Sequence, residues 1–484
     1  MPLFVIDEIR EIASAQLLTK RELHTGKQGI RRLCTDSREI GEGDLFVALT
    51  GGRMDGHEFV PAALRRGAVG ALVRDSYHLP LSVKRSSTRA SVLLGVPDVL
   101  AAYQQLAAHH RNRFQIPVVA VTGSNGKTTT KEMTANVLAQ SKPVLRTEGN
   151  LNNRIGVPQT LLRLTPRHKA AVIEMGVDNV GQTVRLCELT RPTIGLITNI
   201  GPDHLEFFGT EDVSAQSKGE LLEFLPPEGS AILNADDAYF GYLASRARCE
   251  VVSFGLSDRA QVRAERLMMG GQHRTQFHLR LPGRGRPQLV SLHVRGLHNI
   301  LNALAAAAVG HVMGLSPVTI AAGLAAFRPL AMRSQILTWH GVRIINDCYN
   351  ANPASMKASI DLLRELGAGG RSIAVLGDML ELGADAAPRH REVGTHLAER
   401  GISHLIACGA FGHELVEGAR AAGMPAGCAV YETDATRAGA ALKELVQAGD
   451  VVLVKASRGM KMERAVEIVT GTGGVATLSR GGRS

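Results

Sequence analysis

The chain has 484 residues, of which 44% are hydrophobic and 21% are charged, a composition typical of globular rather than disordered proteins. A chain of this length is expected to form two or three domains. It contains no apolar run long enough to span a membrane, and the acidic residues inside its first apolar segment argue against a signal peptide.

The net charge of +10 would suit either a nucleic-acid-binding protein or one that handles small polyanionic substrates. The basic residues are spread along the chain and are not interleaved with its few aromatic side chains, six Tyr, twelve Phe and one Trp. No nucleic-acid partner is therefore expected. The six cysteines form no C-x-x-C pair, which predicts reduced thiols in a cytoplasmic protein without zinc or disulfides.

The first block of the sequence extends to residue 113. It opens with an amphipathic helical pattern, continues with short strand-like runs separated by turns, and closes with a helical pattern over "VPDVLAAYQQLAAHHRNR". These patterns predict a small α/β domain over residues 1–113.

Two further blocks alternate strands and helices. In residues 114–330 the runs "VVAVTG", "AAVIEMG" and "TIGLITNIG" are continuously apolar, which predicts a parallel sheet buried on both faces. Residues 331–484 repeat the pattern with "VRIINDCYN", "SIAVLGDM", "HLIACGA" and "VVLVKASRG". The predicted fold class is therefore α/β with three domains, the last of them doubly wound and Rossmann-like.

The stretch "TGSNGKTTT" lies between the first strand of the second block and a helical pattern. Gly123 and Gly126 allow a tight turn that exposes backbone N–H groups at the positive end of the helix dipole. Lys127 can reach the β- and γ-phosphates of a nucleotide, and Thr128 can bind Mg²⁺. Val121 replaces the first glycine of the common phosphate-loop pattern, but the contacting residues are present. An ordinary glycine turn is the alternative; the position favours a central P-loop mononucleotide-binding domain.

Other polar residues follow strands of the same predicted sheet, at the edge where open α/β sheets bind ligands. Glu174 ends a buried apolar strand, and Mg²⁺ is a natural partner for a carboxylate beside a phosphate loop, with a capping or salt-bridged glutamate as the alternative. His204 follows the next strand, flanked by Asp203 and Glu206, and the residues alone leave a site role and a structural role equally open. Lys218 lies in a helical stretch, where composition alone predicts a solvated surface lysine.

Polar residues also mark the end of the second block and the strand ends of the third. Asn299 and Asn302 are three residues apart, on one face of a predicted helix, where capping by Asn299 is the alternative role. Asp347 ends a strand and is followed by the turn sequence "NANP". The loops "LGDMLELG" and "KASRGMKME" follow two further strands. Together these loops predict an edge that closes over the second block.

Taken in order, these segments resemble the Mur ligases of peptidoglycan synthesis. The resemblance covers nearly the whole chain and rests on "TDSREIGEGDLFVAL", "DGHEFV", "TGSNGKTTTKEM", "EGNLNNRIGVP", "EMG", "TNIGPDHLE", "LNADD", "GLHNILNALAA", "NDCYNANPASM", "LGDMLELG" and "VKASRGMKME". The phosphate loop alone would fit the wider superfamily, which includes folylpolyglutamate synthases and in which T-G-[ST]-[NS]-G-K-T is the usual loop. "NDCYNANPASM" and "LGDMLELG" are similar to the branch that adds D-alanyl-D-alanine.

The resemblance implies an ATP-dependent ligase. ATP would phosphorylate the terminal carboxylate of UDP-N-acetylmuramoyl-tripeptide, and the amine of D-alanyl-D-alanine would attack the acyl phosphate to give UDP-MurNAc-pentapeptide. The implied cofactors are ATP and two Mg²⁺ ions, and the implied protein is a cytoplasmic monomer. Residues 1–113 would bind the UDP substrate, 114–330 would bind ATP, and 331–484 would form the Rossmann-like domain.

The resemblance also implies roles for individual residues. The implied catalytic residues are Lys127, His204 and Lys218, with Lys218 carbamylated and so converted into a carboxylate. The implied Mg²⁺ ligands are Thr128, Glu174, His204 and Lys218. The implied nucleotide-binding residues are Gly123, Ser124, Asn125, Gly126, Lys127, Thr128, Thr129, Asn302, Arg333 and Asp347. The implied substrate-binding residues are Ser37, Arg38, Asn152 and Asn153.

One position departs from the family pattern: Ala456 stands in "VKASRG" where glycine is expected. Three alternatives to this ligase stay open. A sibling ligase with another amino-acid acceptor would be revealed by an acceptor screen, and a nucleic-acid motor by salt-dependent binding to nucleic acid. The third alternative is a non-catalytic nucleotide-binding scaffold, against which the intact Lys127, Thr128, Glu174 and His204 argue.

Overall fold

A computed structural model of the chain describes residues 2–19, 27–52, 54–79, 91–203, 205–269, 275–367 and 369–471. The chain divides into two compact units. The first unit contains Met1–Ala120, Lys142–Gly176 and Gln182–Thr193, and the second contains Val121–Ser141, Val177–Gly181 and Ile194–Ser484. These units are not the three predicted blocks, whose boundaries at residues 113 and 330 stay predictions. Among the described residues, no helix combines the length and the apolar character needed to cross a membrane.

The first sequence block forms a small sheet with short helices. Its strands are β1 Phe4–Val5, β2 Gln16–Leu17, β3 Gly29–Ile30, β4 Arg32–Cys34, β5 Asp44–Val47, β6 Gly70–Arg74 and β7 Val92–Val96, and its helices are α1 Ile6–Ile12, α2 Val60–Arg65 and α3 Val99–Asn112. The sheet order is β2-β7-β6-β5-β4, with β4 to β7 parallel and β2 antiparallel to β7. The predicted N-terminal helix spans only seven residues, because β1 pairs with β3 before it and β2 pairs with β7 after it.

The second block builds a nine-stranded sheet. Its strands are β8 Val118–Thr122, β9 Val144–Arg146, β10 Ala170–Glu174, β11 Ile194–Ile197, β12 Ser230–Asn234, β13 Glu250–Gly255, β14 Val262–Met269, β15 Thr275–Arg280 and β16 Gln288–Leu292. Its helices are α4 Lys127–Ala139, α5 Gly156–Leu161, α6 Gln182–Thr190, α7 Leu205–Phe208, α8 Glu211–Glu223, α9 Phe240–Arg246, α10 Leu297–Val312 and α11 Pro317–Ala326.

The strand order of this sheet is β16-β15-β14-β13-β12-β11-β8-β10-β9. Strands β11 to β14 are parallel neighbours, and β14, β15 and β16 are antiparallel. Every residue of β8, β10, β11 and β12 is buried, as their continuous apolar sequences predict.

The third block forms a six-stranded sheet covered on both faces. Its strands are β17 Gln335–Trp339, β18 Val342–Asn346, β19 Ser372–Leu376, β20 His404–Cys408, β21 Ala429–Glu432 and β22 Val451–Lys455, and its helices are α12 Pro353–Leu366, α13 Ala386–Glu399, α14 Gly412–Ala421, α15 Ala435–Leu445 and α16 Glu463–Thr470. The order is β17-β18-β22-β19-β20-β21, parallel except for β17. Neighbouring residues Ile344 and Ile345 belong to separate hydrophobic clusters, one on each face. The predicted α/β class, with parallel strands in every block, is confirmed.

A buried histidine fixes the loop that follows β19. His390, in α13, is fully buried, and its Nε2 accepts a hydrogen bond from the Met379 N–H at 2.8 Å. Its Nδ1 lies 2.6 Å from the carbonyl oxygen of Ala386. Because Nε2 acts as the acceptor, the proton resides on Nδ1 and the ring is neutral. Burial lowers the pKa of His390 below its usual range.

This neutral histidine predicts a loss of stability in acid. Below pH 6.5, the ordinary histidine pKa, the unfolded chain binds a proton that the folded His390 excludes, so the free energy of unfolding should fall as pH decreases. Above that pH the ring is neutral in both states and its contribution is complete. Denaturant titrations at pH values on either side of 6.5 would measure the change. The His390→Gln variant should show a weaker pH dependence, and an identical dependence in the variant would contradict the assignment.

Candidate functional site

The loop between β8 and α4 has the geometry of a phosphate loop. Gly123 and Gly126 have φ angles of +134° and +79°, a conformation that favours glycine, and α4 begins immediately after Gly126 at Lys127. The Lys127 ammonium turns back over the loop, with Nζ in contact with the carbonyl oxygens of Gly123 and Ser124. The loop thus joins a helix N-terminus to a lysine, the combination that binds phosphate groups.

The segment after β11 holds this loop in place. Asn199 accepts the Asn125 N–H on its Oδ1 at 3.0 Å, and the hydroxyl of Thr198 donates to the Asn125 carbonyl at 2.5 Å. The Ser124 N–H donates to the Asn199 carbonyl at 2.9 Å. These hydrogen bonds from neighbouring protein groups hold the backbone of the loop in its turn.

Helix α10 packs against the start of α4 through an asparagine. Oδ1 of Asn302 accepts a hydrogen bond from the Thr130 hydroxyl at 3.1 Å, and Nδ2 of Asn302 donates to Oδ1 of Asn299 at 3.3 Å. The two asparagines share one helix face, as their spacing predicts, and the N-cap of α10 is Gly296 rather than Asn299. A Cβ atom added at Gly126 would collide with Asn302 Oδ1. Asn302 therefore lies directly behind the phosphate loop.

Replacing Gly126 by alanine should raise the KM for ATP by about tenfold or more, because the new methyl group would strain the backbone and displace Asn302. Gly314 is a matched control: its φ of +77° is nearly the same, but no atom lies within 4 Å of an added Cβ. Gly314→Ala should cost about 1 kcal/mol of stability and leave the KM unchanged. Steady-state kinetics and thermal unfolding of both variants test this, and equal KM values in the two variants would exclude the collision as the cause.

The structure corrects the surface position that composition predicts for Lys218. This side chain, in α8, is only 1% exposed, and its Nζ donates to Asp203 Oδ1 at 3.0 Å and to the Ser214 hydroxyl. The Ser124 hydroxyl also donates to Asp203 Oδ1, at 2.6 Å, so one carboxylate joins the phosphate loop to the lysine. Burial lowers the pKa of Lys218 below its usual range; Lys127 lowers it further and Asp203 opposes the shift.

Two of the predicted metal ligands, Thr128 and Glu174, belong to different compact units. Thr128, in the first turn of α4, is buried, whereas Thr129 is half-buried. His204 lies outside the described residues. Glu174, in the first compact unit, ends β10 at 2% exposure, and Nδ2 of Asn152 donates to its Oε1 at 2.8 Å. Over the residues that the structure describes, no group of three or more His, Cys, Asp or Glu side chains is placed to hold a metal ion.

The predicted substrate residues also lie in the first unit. Asn152 is brought to Glu174, whereas Oδ1 of Asn153 accepts the N–H groups of Ile155 and Gly156 at the start of α5. Arg38 is exposed and forms an ion pair with Asp36 at 2.7 Å, and Ser37 between them is half-buried. The hydrogen bond to Asp36 raises the pKa of Arg38. The guanidinium is thus a fixed positive charge on an open surface.

At the edge of the six-stranded sheet, Asp347 is neutralised by a lysine that sequence reasoning did not select. Lys455 Nζ lies 2.6 Å from Asp347 Oδ2, the Ser359 hydroxyl donates to the same oxygen at 2.7 Å, and the Ser334 N–H donates to Oδ1 at 2.8 Å. Burial alone would raise the pKa of Asp347, but Lys455 and these hydrogen bonds bring it below its usual range. Asp347 directly follows β18 and Lys455 ends β22, its parallel neighbour. A charged residue at the end of each of two apolar strand sequences is the pattern from which the pair could have been predicted.

Arg333 lies in the strained segment that precedes β17. Met332 and Ser334 on either side of it have φ angles of +58° and +48°, which are uncommon for residues other than glycine. The Arg333 guanidinium stacks on the Tyr349 ring, 3.7 Å from its centre. Backbone strain of this kind is often found at ligand-binding segments.

Comparisons with known proteins identify the family. Three family models match in succession: the Mur ligase family catalytic domain at residues 29–111, the Mur ligase middle domain at 121–310, and the Mur ligase glutamate ligase domain at 332–458. A UDP-N-acetylmuramoyl-tripeptide–D-alanyl-D-alanine ligase of Synechocystis is 38% identical over 445 residues, which are 90% of this chain and 91% of that protein. The chain belongs to the Mur ligase family.

Solved structures agree with this assignment. The MurF of Acinetobacter baumannii superposes on this Mur ligase with a TM-score of 0.87 at 31% identity, covering 97% of this chain and 99% of that one. The MurF ligase of Thermotoga maritima in complex with ADP gives a TM-score of 0.79 at 28% identity, covering 91% of this chain and 97% of that one. The fold is therefore that of three-domain Mur ligases.

Ala456, where the resemblance predicts glycine, lies beside a glycine of the neighbouring strand end. The Ala456 methyl group is fully buried, and a Cβ atom added at Gly377 would lie only 2.9 Å from it. The alanine thus fills space that Gly377, at the end of the adjacent strand, leaves open.

Proposed function

We propose that this Mur ligase uses ATP to join D-alanyl-D-alanine to the terminal carboxylate of UDP-N-acetylmuramoyl-tripeptide. The observation that carries the proposal is that a phosphate loop and a buried Lys218–Asp203 pair lie within a chain that matches a ligase of this name over nine-tenths of both lengths. The product would be UDP-MurNAc-pentapeptide, a precursor of peptidoglycan. We place the reaction in the cytoplasm and expect the enzyme to act as a monomer.

The chemistry requires activation of a carboxylate, which is a poor electrophile. Transfer of the γ-phosphoryl group of ATP to the carboxylate oxygen would give an acyl phosphate and ADP. The amine of D-alanyl-D-alanine would then add to the acyl carbon, and phosphate would leave from the tetrahedral intermediate. Such transfers depend on positioning and charge neutralisation more than on covalent catalysis. Lys127 would hold the γ-phosphate, and the N–H groups at the start of α4 would orient it.

The proposed Mg²⁺ ligands are those that the family resemblance implies: Thr128, Glu174, His204 and Lys218. Mg²⁺ prefers oxygen ligands, which Thr128 and Glu174 provide. The ammonium form of Lys218 does not fit a metal, whereas a carbamate on the same nitrogen would supply a carboxylate. Burial and a lowered pKa favour the neutral amine that carbamylation needs. When bound, Mg²⁺ would neutralise charge on the phosphates and the reacting carboxylate.

The UDP end of the substrate is assigned to the first sequence block. Arg38 is exposed and permanently charged, and Ser37 beside it can donate a hydrogen bond, so together they suit the pyrophosphate of a UDP group. Asn152 and Asn153 are the proposed contacts for the peptide-bearing part of this substrate.

The decisive experiment measures phosphate release from ATP with UDP-MurNAc-tripeptide, with and without D-alanyl-D-alanine. Release that needs both substrates, with the pentapeptide product found by mass spectrometry, is the expected result. Release that requires a different amino-acid acceptor would indicate a sibling or folylpolyglutamate-type ligase. ATP binding without release under any pairing would indicate a nucleotide-binding scaffold, and nucleic-acid-stimulated release would indicate a motor.

A further inference from the structure

We propose that Asn352, in the C-terminal sheet region, is a positioning residue for the phosphate loop, and that its side-chain amide couples nucleotide binding to the docking of that region. Nδ2 of Asn352 donates a hydrogen bond to Oδ1 of Asn125 at 2.9 Å. Asn125 stands between Ser124 and Gly126, at the centre of the loop that the proposed function assigns to ATP. The inference rests on that assignment of the nucleotide site, but not on which amino acid or dipeptide the ligase adds.

The orientation of the Asn352 amide is fixed by the helix that it caps. Asn352 is the N-cap of α12, its Oδ1 accepts the Ser355 N–H at 2.9 Å, and the Asn352 N–H donates to the Ser355 hydroxyl at 3.0 Å. Since a backbone N–H can only donate, the atom facing Ser355 must be oxygen. The atom facing Asn125 is therefore nitrogen, and the accepting atom of Asn125 must be its side-chain oxygen.

Asn125 is consequently held from two directions. Its backbone N–H and carbonyl are held by Asn199 and Thr198 of the second sequence block, and its side chain is held by Asn352. If the hydrogen bond from Asn352 were lost, the two backbone hydrogen bonds would still anchor the loop, but the Asn125 side chain would be free to rotate. The N–H groups on either side would then be less well ordered toward a phosphate, which weakens binding through loss of preorganisation.

Other contacts join the same parts of the chain without involving the loop. The Glu206 N–H donates to the Glu381 carbonyl at 3.0 Å, and Arg295 forms an ion pair with Glu365 at 3.1 Å. Leu205 belongs to the hydrophobic cluster of the C-terminal sheet. These contacts keep the region docked when the Asn352 amide is removed, so the effect on the loop can be measured separately. By linkage, a nucleotide that orders Asn125 also favours the docked arrangement.

The test uses Asn352→Ser in the full chain, because serine keeps the N-cap hydrogen bond but is too short to reach Asn125. Asp434→Ser is the matched control: Asp434 caps α15 in the same sheet region through the N–H groups of Thr436 and Arg437. The dissociation constant of ADP with Mg²⁺ is measured by calorimetry for both variants, for Asn125→Ala and for the Asn125→Ala/Asn352→Ser double variant. Thermal unfolding is recorded for each.

Asn352→Ser should weaken ADP binding about five- to tenfold, with an unfolding midpoint like that of the control, which should bind ADP normally. The KM for ATP should rise more than kcat falls. The double variant should bind ADP no more weakly than Asn125→Ala alone, because both substitutions remove the same hydrogen bond. The proposal would be overturned if Asn352→Ser bound ADP with unchanged affinity. It would also be overturned if the losses of ADP affinity in the two single variants multiplied in the double variant.

If Asn352→Ser fails to fold, Asn352→Thr, which also caps a helix, replaces it under the same criteria. Failure of the proposed function would leave these binding measurements interpretable. An enzyme that rejects D-alanyl-D-alanine but shows the expected ADP affinities would retain the Asn352 assignment, whereas correct ligase activity with unchanged affinities would remove it.

Discussion

Replacing Lys127 by methionine should lower kcat by about a hundred- to a thousandfold, the usual effect of removing one preorganised charge from a transferring group. Methionine has nearly the same length and fills the same space, but it cannot compensate the charge that develops on the γ-phosphate. The lysine is well placed for this role, because it follows the glycine at the helix N-terminus and its Nζ reaches back over the loop to Gly123 and Ser124.

Two further variants make this result specific. Lys127→Arg keeps the positive charge but has a larger, planar head, so it should retain more activity than Lys127→Met and less than the wild type. Lys443→Met, on the exposed side of α15, removes an equal charge from a helix surface and should leave kcat unchanged. Steady-state kinetics with saturating ATP separate kcat from nucleotide binding. A kcat for Lys127→Met within tenfold of the wild type would mean that Lys127 is not at the reacting phosphate.

The strands and the position of the glycine loop were predictable from the sequence because both follow from local patterns. Continuous apolar runs of about five residues correctly predicted β8, β10 and β11. The polar residues that follow these strands were expected at the carboxyl ends of the strands, where open α/β sheets bind ligands. The phosphate loop was predictable even without its first glycine, since Gly123 and Gly126 are the positions with positive φ. The length of α1 was not, because β1 and β2 are defined by partners elsewhere in the chain.

The site contacts that the sequence missed all depend on distant residues. Lys218 has no local feature that distinguishes a buried from an exposed lysine; its burial follows from Asp203, which lies fifteen residues earlier and was noted only as a neighbour of His204. Asn352 and Asn125 are 227 residues apart, and the sequence around each of them predicts only a turn. The Lys455–Asp347 pair is separated by 108 residues. Strand order sets the Lys455–Asp347 pair, and the packing of helices and loops sets the other two. A single sequence reveals neither.

The second large effect is expected at Lys218, where Lys218→Met should lower activity by roughly a hundredfold or more. As an ammonium group, Lys218 is a buried cation paired with Asp203; as a carbamate, it would be an anion able to bind Mg²⁺. The two forms predict opposite rescues. If the carbamate is the working form, Lys218→Glu should retain more activity than Lys218→Arg and should improve as Mg²⁺ is raised. If the cation is the working form, Lys218→Arg should be the better enzyme.

NMR spectra recorded in isotopically labelled bicarbonate measure the carbamate directly. A carbamate resonance should appear in the wild type and be absent from Lys218→Met. Lys127 connects the two predictions, because its positive charge lowers the pKa of Lys218 and would also attract the carbamate anion. In Lys127→Met more of Lys218 would be protonated and the anion would lose a neighbouring charge, so at fixed pH and bicarbonate the resonance should be weaker. A resonance of equal intensity in that variant would show that Lys127 acts on the phosphate alone.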